Sequence, residues 1–163
     1  MSDEDQHWME HALRLAEHAA SQNEVPVGAV VVLDGKVVGE GSNAPISSCD
    51  PTAHAEVLAI RDACSRVGNY RLPDATLYVT IEPCTMCAGA IVHARLKRVV
   101  FGAREPKAGA VLSQNSLLSH PSMNTEVLVD EGVFAERSSN LISEFFALRR
   151  EKKKALKRKS SSL

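Results

Sequence analysis

Long hydrophobic segments are absent from this sequence of 163 residues. No run reaches the roughly 18 apolar residues that cross a bilayer, and residues 1–5 are acidic where a secretory signal is basic and then apolar. We therefore expect a soluble, cytoplasmic protein without a membrane partner. No internal repeat or early linker occurs, and 44% of the residues are hydrophobic, which predicts a single domain with its own core.

Cysteine is also scarce. The four cysteines are too few for a disulfide framework in a chain of this length, and Cys84 and Cys87 form a C-x-x-C pair. This usage fits a reducing compartment. We expect Cys49 and Cys64 to be ordinary free thiols.

The net charge is only −1, but the charges are unevenly distributed along the chain. Residues 149–159 carry eight of the 19 basic side chains and one of the 20 acidic ones, which leaves 11 basic and 19 acidic residues elsewhere. We predict a domain over residues 1–150 and a basic tail over 151–163, with a disordered end at residues 160–162. Such a tail either attracts phosphates or forms a solvated helical end.

Hydrophobic periodicity predicts an α/β protein. Helices are predicted over residues 7–21, about 53–67 with Thr52 as N-cap, from 83 or 84 to about 94, and from about 134 or 138 into the tail. Strands are predicted over residues 27–33, 36–41, 76–81, 98–101 and 126–129. Asp34-Gly35 indicates an antiparallel hairpin, whereas the later strand-helix-strand order favours a parallel crossover. The long connection over residues 102–125 is predicted to be functional or mobile.

Three metal-ligating side chains are the main chemical feature of the sequence. His54, Cys84 and Cys87 supply one imidazole and two thiolates, whereas a structural zinc site normally takes four protein ligands. The fourth position is then open to water, and Glu56 is close enough in sequence to carry protons without being a ligand. H-x-E followed by P-C-x-x-C is typical of zinc-dependent nucleobase deaminases.

The spacing of these residues sets a geometric condition. Cys84 and Cys87 lie on one face at the start of a helix, where unpaired N–H groups favour the thiolate form. Residues two apart in a regular helix point roughly 200° away from each other. His54 and Glu56 can therefore converge only if His54 lies in the irregular first turn.

Other interpretations of the same residues stay open at this point. A C-x-x-C pair can be a redox dithiol or half of a structural zinc site. A fourth structural ligand would have to be His93, Cys64 or Cys49, and nothing in their spacing recommends them. His54 alone would be an ordinary capping residue.

Longer segments of the chain resemble the bacterial tRNA-specific adenosine deaminases. The matching segments are residues 25–29, 41–43, 50–56, 82–90, 98–103, 120–124 and 145–150. The resemblance implies a cytidine deaminase-like fold, with three α-β-α layers around a central mixed five-stranded sheet. It also implies a homodimer with one Zn²⁺ per subunit, which converts the wobble adenosine of an arginine tRNA anticodon to inosine.

The resemblance also implies roles for individual residues. His54, Cys84 and Cys87 would bind zinc, and Glu56 would be the proton shuttle. The residues implied to contact the substrate or the anticodon loop are Val27, Asn43, Ala55, Phe145, Arg149 and Arg150. As alternatives, Asn43 is a turn residue, Val27 is strand core and Phe145 is a core anchor. Relatives often carry Asp at the position of Glu105, and the longer side chain would shift a hydrogen bond to the substrate sugar.

Two other functions remain as alternatives. A deaminase of free cytosine, cytidine or guanine would share the motif, but it would not need the basic tail. A non-catalytic RNA-binding subunit would be expected to lose its proton shuttle, and Glu56 is intact.

Overall fold

Five strands form one mixed sheet in the computed structural model, which describes residues 2–161. In chain order they are β1 (Gly28–Leu33), β2 (Lys36–Ser42), β3 (Thr76–Ile81), β4 (Arg98–Ala103) and β5 (Leu128–Glu131). Across the sheet the order is β2-β1-β3-β4-β5. β1 is antiparallel to both of its neighbours, and β3, β4 and β5 are parallel. The predicted hairpin and the predicted parallel crossover are both confirmed.

Four helices cover the two faces of this sheet. They are α1 (Asp3–Ser21), α2 (Ala55–Val67), α3 (Thr85–His93) and α4 (Ala135–Ser161), and a short 3₁₀ turn spans Leu117–Ser119. α1 and α4 pack on one face, and α2 and α3 pack on the other. The three-layer α-β-α arrangement predicted from the sequence is therefore confirmed.

The core is divided by the sheet into two unequal parts. The larger part lies under α2 and α3 and includes Leu77, Ile91 and Phe101, all fully buried. The smaller part lies under α1 and includes Met9 and Val30. Burial of such side chains stabilises each by about 1.5–3 kcal/mol, so both helical layers are held firmly against the sheet.

Small residues bring α2 unusually close to the edge strand β2. A Cβ atom on Gly41 would lie 2.2 Å from the carbonyl oxygen of Ala55, and one on Gly39 would lie 2.2 Å from that of Ala59. Any larger residue would push the helix away from the strand. This contact fixes where α2 begins, and hence where His54 and Glu56 lie.

α1 begins at Asp3, four residues before the predicted start. The Ser2 hydroxyl accepts a hydrogen bond from the N–H of Asp5 and caps the helix. The Asp5 carboxylate, which is buried, accepts hydrogen bonds from Tyr78 and Arg98. The polar first turn has no apolar periodicity, so the pattern from which the helix was predicted could not include it.

α2 begins at Ala55, and its N-cap is His54 rather than the predicted Thr52. The Thr52 hydroxyl donates to Asp50 instead. The N–H of Ala55 is satisfied by the side-chain oxygen of Asn43, which comes from a different segment of the chain. Local sequence could not reveal this tertiary cap.

The later predicted boundaries shift by a few residues. β4 extends to Ala103, two residues beyond its prediction, and β5 covers Leu128–Glu131 instead of residues 126–129. β5 is paired with β4 in parallel register, with Arg98 opposite Leu128. The ends of β4 and β5 are set by pairing with a neighbouring strand. The local sequence pattern contains no information on that pairing.

α4 passes through residue 150 without a break and continues to Ser161. The predicted tail is therefore helical, as expected for a segment rich in Lys, Arg, Leu and Ala. Ser160 and Ser161 are part of this helix, which corrects the prediction of disorder there, whereas Ser162 lies outside the described residues. Over residues 2–161, no helix combines the length and the apolar character needed to cross a bilayer.

Candidate metal centre and catalytic cavity

The metal-ligating residues lie where the N-termini of α2 and α3 meet. His54 is the N-cap of α2, with extended backbone angles of φ −76° and ψ 149°. Cys84 is the N-cap of α3, with φ −78° and ψ 178°. Both residues therefore stand just outside their helices, near the carboxyl end of β3, where ligands commonly bind in open α/β sheets.

The donor atoms have the spacing that a zinc ion requires. His54 Nδ1 lies 3.6 Å from the sulfur of Cys84 and 3.5 Å from that of Cys87. Tetrahedral Zn–N and Zn–S bonds of about 2.1 and 2.3 Å separate nitrogen from sulfur by roughly 3.6 Å. These three residues form the only such group of metal-binding side chains over residues 2–161, and it does not include Cys49, Cys64 or His93. The group offers three protein ligands, the number that is typical of catalytic zinc sites.

The protonation of the two thiols reflects their mutual contact. The Cys87 thiol donates a hydrogen bond to Cys84, and together with His54 it lowers the pKa of the Cys84 thiol to about 3. The same hydrogen bond, together with burial, raises the pKa of the Cys87 thiol. The hydrogen bond with Cys84 also raises the pKa of His54. A bound divalent cation takes both sulfurs as thiolates and the imidazole as a neutral ligand.

Glu56 lies inside the first turn of α2 and lines the same cavity as His54. The side chain is only 3% exposed, and this burial raises the pKa of its carboxyl group. His54 precedes the helix, so the angular conflict between the two residues does not arise. The geometric condition set by the sequence is thus met.

Asn43 joins the cavity to the start of α2. Its side-chain oxygen accepts the N–H of Ala55 at 2.8 Å, so its NH₂ group is left as a donor at the cavity wall. Val27 lines the cavity as well, but the side chain of Ala55 is fully buried. Among the predicted substrate contacts, Asn43 and Val27 are therefore brought together with the metal ligands, whereas Ala55 does not line the cavity.

Two side chains of α4 that the sequence pattern did not indicate complete the cavity. Ile142 and Phe146 line it, whereas the predicted contacts Phe145, Arg149 and Arg150 do not. Phe145 is 9% exposed and turned toward α1, with the Arg149 guanidinium 4.9 Å from its ring centroid. The adjacent pair of phenylalanines was a usable signal, but only tertiary packing decides which ring faces the cavity.

Glu82 anchors the long connection beside the metal ligands. Its carboxylate, which is buried, accepts hydrogen bonds from four backbone N–H groups, those of residues 105, 111, 112 and 113. Burial raises the pKa of Glu82, but these bonds and one from the Ser113 hydroxyl outweigh it, so the pKa is lowered overall. A Cβ on Gly109 would lie 2.4 Å from this carboxylate. Much of the connection is therefore fixed, and it places Glu105 on the cavity wall.

Comparison with known proteins agrees with this site. Residues 2–103 match the family described as the cytidine and deoxycytidylate deaminase zinc-binding region. The tRNA-specific adenosine deaminase of Haemophilus influenzae is 49% identical, over 99% of this chain and 94% of that protein. The tRNA-specific adenosine deaminase of Bacillus subtilis is 41% identical, over 97% and 98% of the two chains.

Solved structures show the same fold. One, from a study of A-to-I editing by tRNA:A34 deaminases at the wobble position, matches with a TM-score of 0.81 and 47% identity over 83% of this chain and 98% of that one. A guanine deaminase from Bacillus subtilis matches with a TM-score of 0.61 and 36% identity, over 92% and 95% of the two chains.

Proposed function

Since this chain belongs to the family of bacterial tRNA-specific adenosine deaminases, we propose that it converts the wobble adenosine of an arginine tRNA anticodon to inosine. The observation that carries the proposal is the three-ligand site formed by His54, Cys84 and Cys87, with the unligated Glu56 buried beside it. Such a site suits the addition of water to a ring carbon, followed by loss of the amino group as ammonia.

Glu56 is proposed to move the protons of the reaction. Zinc held by the three ligands supplies a Lewis acid that lowers the pKa of water to about 7. Glu56 accepts a proton from the attacking water and passes it to the ring nitrogen next to the reacting carbon. The carboxylate then takes the remaining proton from the hydroxyl group on the tetrahedral carbon and delivers it to the departing amine, as the C=O bond forms and the C–N bond breaks. One side chain is therefore base and then acid. The burial that raises the pKa of Glu56 supports the second role.

The remaining cavity residues are proposed to hold the flipped nucleoside. The free NH₂ group of Asn43 can donate to a substrate acceptor, and Val27 offers an apolar surface to the base. Phe146 is suited to stack on a base of the loop, since RNA recognition commonly uses aromatic rings in this way. The ring of Phe145 lies 5.5 Å from that of Phe146, so the buried Phe145 ring packs against the exposed Phe146 ring.

A purine deaminase acting on free guanine is the second candidate, because the Bacillus subtilis guanine deaminase is 36% identical. The higher identity to the tRNA-specific enzymes and the basic residues 149–159 favour the polynucleotide substrate. A free base carries no phosphates, so this concentration of positive charge would have no substrate group to bind.

The test is incubation of the purified, zinc-loaded protein with total tRNA, followed by sequencing for adenosine read as guanosine. We expect conversion at the wobble position of an arginine tRNA. Parallel reactions on free adenosine, cytidine, cytosine and guanine should release no ammonia. Turnover of guanine without conversion of tRNA would make the second candidate correct.

We also propose that the protein is a cytoplasmic homodimer, as the family resemblance implies. The surface beside α3 supports this, because Gly89, Val92, His93 and Met123 line a shared groove there. Light scattering after size exclusion should give twice the chain mass of 17.6 kDa. A mass of one chain at micromolar concentration would contradict the dimer.

A further inference from the structure

Two different faces of α4 continue into its exposed C-terminal half. From residue 146 to residue 161 every residue of the helix is exposed. One face carries Phe145, Arg149 and Lys152 and is turned toward α1, where these residues line a groove with Ala20. The other face carries Ile142 and Phe146, which line the catalytic cavity. The two faces therefore have different relations to the site.

The cavity-lining face leads directly into a row of cations. Steps of three and four residues, which keep a helix residue on the same face, connect Phe146 to Arg150, Lys153 and Lys157. Arg150, Lys153, Lys154 and Lys157 line one shared surface groove, and we name these four residues the basic ridge. At a rise of 1.5 Å per residue, the ridge extends about 10 Å from Arg150 to Lys157. It begins one turn beyond the cavity wall.

A solvated helical end would account for the charge of the ridge but not for this placement. The body of the chain outside residues 149–159 is acidic, with 19 acidic and 11 basic residues. Within residues 2–161, the one ion pair of the ridge joins Lys154 to Glu151 at 4.0 Å, and both side chains are more than 60% exposed. Exposed pairs of this kind are weak, so the cations of the ridge remain available to an external polyanion.

We propose that the basic ridge binds the phosphates of the base-paired stem next to the RNA loop that enters the cavity. This inference rests on the proposed function, since it takes an RNA loop as the occupant of the cavity. A strand that leaves the cavity past Phe146 meets the ridge next. Two strands that come together in a stem then present the phosphates that lysine and arginine bind without regard to sequence. The ridge thus adds affinity for structured RNA, and not for the base itself.

The test compares two variants of the full-length, zinc-loaded protein that lose the same charge. Lys153→Gln with Lys157→Gln removes two cations of the ridge. Lys152→Gln with Lys159→Gln removes two cations from the opposite side of the same helix. RNA binding is measured by fluorescence anisotropy at salt concentrations between about 50 and 200 mM, because affinity that depends on phosphate contacts falls steeply over this range. One probe is a hairpin of the anticodon stem and loop, and the other is the single-stranded loop alone.

We expect the ridge variant to lower the salt slope for the hairpin by about 1.5, because each lost phosphate contact removes roughly 0.7–0.9 from the slope. The opposite-side variant should change the slope by less than about 0.5. Neither variant should alter binding of the loop oligonucleotide. Circular dichroism controls for loss of the helix, which both variants should retain.

Two outcomes would overturn the inference and leave the proposed function intact. Equal slopes for the two variants would show a diffuse charge effect. Loss of binding to vesicles of anionic lipid, with unchanged hairpin affinity, would show that the ridge faces a membrane. Failure of the proposed function itself is seen separately, as absence of inosine in tRNA treated with the unsubstituted protein.

Discussion

The catalytic cavity and the basic ridge differ in the burial of their charged side chains. In the cavity, Glu56 and Glu82 are 3% and 2% exposed, and fixed hydrogen bonds hold the neighbouring loops. On the ridge, every side chain is exposed and faces solvent. A buried group can have its pKa shifted and its position fixed, whereas an exposed cation can only attract. This difference is why we assign the chemistry to the cavity and propose that the ridge supplies affinity for polyanions.

Removal of the metal should have the largest effect on the cavity. Chelation is expected to abolish deamination and to lower the melting temperature, because a ligand that binds only the folded state stabilises it. Addition of zinc should restore both. Tight binding of the RNA hairpin should survive chelation, since the ridge contains no metal ligand. A hairpin affinity that disappears with the metal would show that cavity and ridge do not act separately.

Substitution of Glu56, the proposed proton shuttle, should have the next largest effect on activity. Glu56→Gln is expected to reduce the rate of inosine formation by roughly 10²–10⁴, the usual contribution of general acid-base catalysis. Zinc content, measured by atomic absorption, should stay at one per chain. Glu17→Gln, which changes an exposed carboxylate on α1, is the matched control and should retain full activity. Substantial turnover in the Glu56 variant would remove this residue from its proposed role.

A stability effect of intermediate size is expected at Asp5, which lines neither the cavity nor the ridge. Its hydrogen bonds with Arg98 lower the pKa of Asp5 from 3.8 to about 2. A carboxyl group with a lowered folded-state pKa stabilises the fold above its unfolded pKa and loses that contribution as the pH falls toward 2. Asp5→Asn should therefore reduce the free energy of unfolding by about 2 kcal/mol at pH 7 and by about half as much at pH 3.

Urea unfolding at the two pH values measures this difference. Asp3→Asn is the control, since Asp3 is an exposed residue of the same helical turn. It should change the free energy of unfolding by less than about 0.5 kcal/mol at either pH. A destabilisation by Asp5→Asn that does not depend on pH would mean that packing, and not the ion pair, is lost.

Truncation of the exposed C-terminal end of α4, which we call the exposed arm, should have the smallest effect on the stability of the fold. Deletion of residues 152–163 removes six basic side chains and should alter the free energy of unfolding by less than about 0.5 kcal/mol, because the described residues 152–161 are exposed. The same deletion should weaken tRNA binding roughly tenfold or more at low salt. A large loss of stability would indicate that the arm packs on the rest of the domain. It would then be wrong to contrast a buried cavity with an exposed ridge.

The sequence was sufficient for the parts of the site that depend on local spacing. The C-x-x-C pair at the start of a helix places Cys84 and Cys87 together through one turn of backbone, whatever the rest of the chain does. Helix geometry also showed that His54 could not lie in a regular part of α2, and His54 is the N-cap, with extended backbone angles. Assignment of the exposed ring was not possible in this way, because Phe145 and Phe146 are adjacent and chemically identical.

Contacts between distant segments determined the structural features that the local sequence pattern could not predict. Asn43 caps α2 from 12 residues away, so the prediction of Thr52 as N-cap was wrong. Four N–H groups of the long connection converge on Glu82, so that segment is anchored although its composition is typical of a mobile loop. Each of these hydrogen bonds joins residues that no local window contains together.

The amino-acid sequence by itself predicted the candidate metal ligands and the proposed proton carrier, and it determined the alternation of strands and helices and the position of the positive charge. These follow from side-chain chemistry and from backbone periodicity, which act over a few residues. Only the tertiary structure decided which face of α4 closes the cavity and that the basic ridge continues that face. Those relations depend on how α4 is rotated against the sheet, and that rotation is set by packing of the whole core at once.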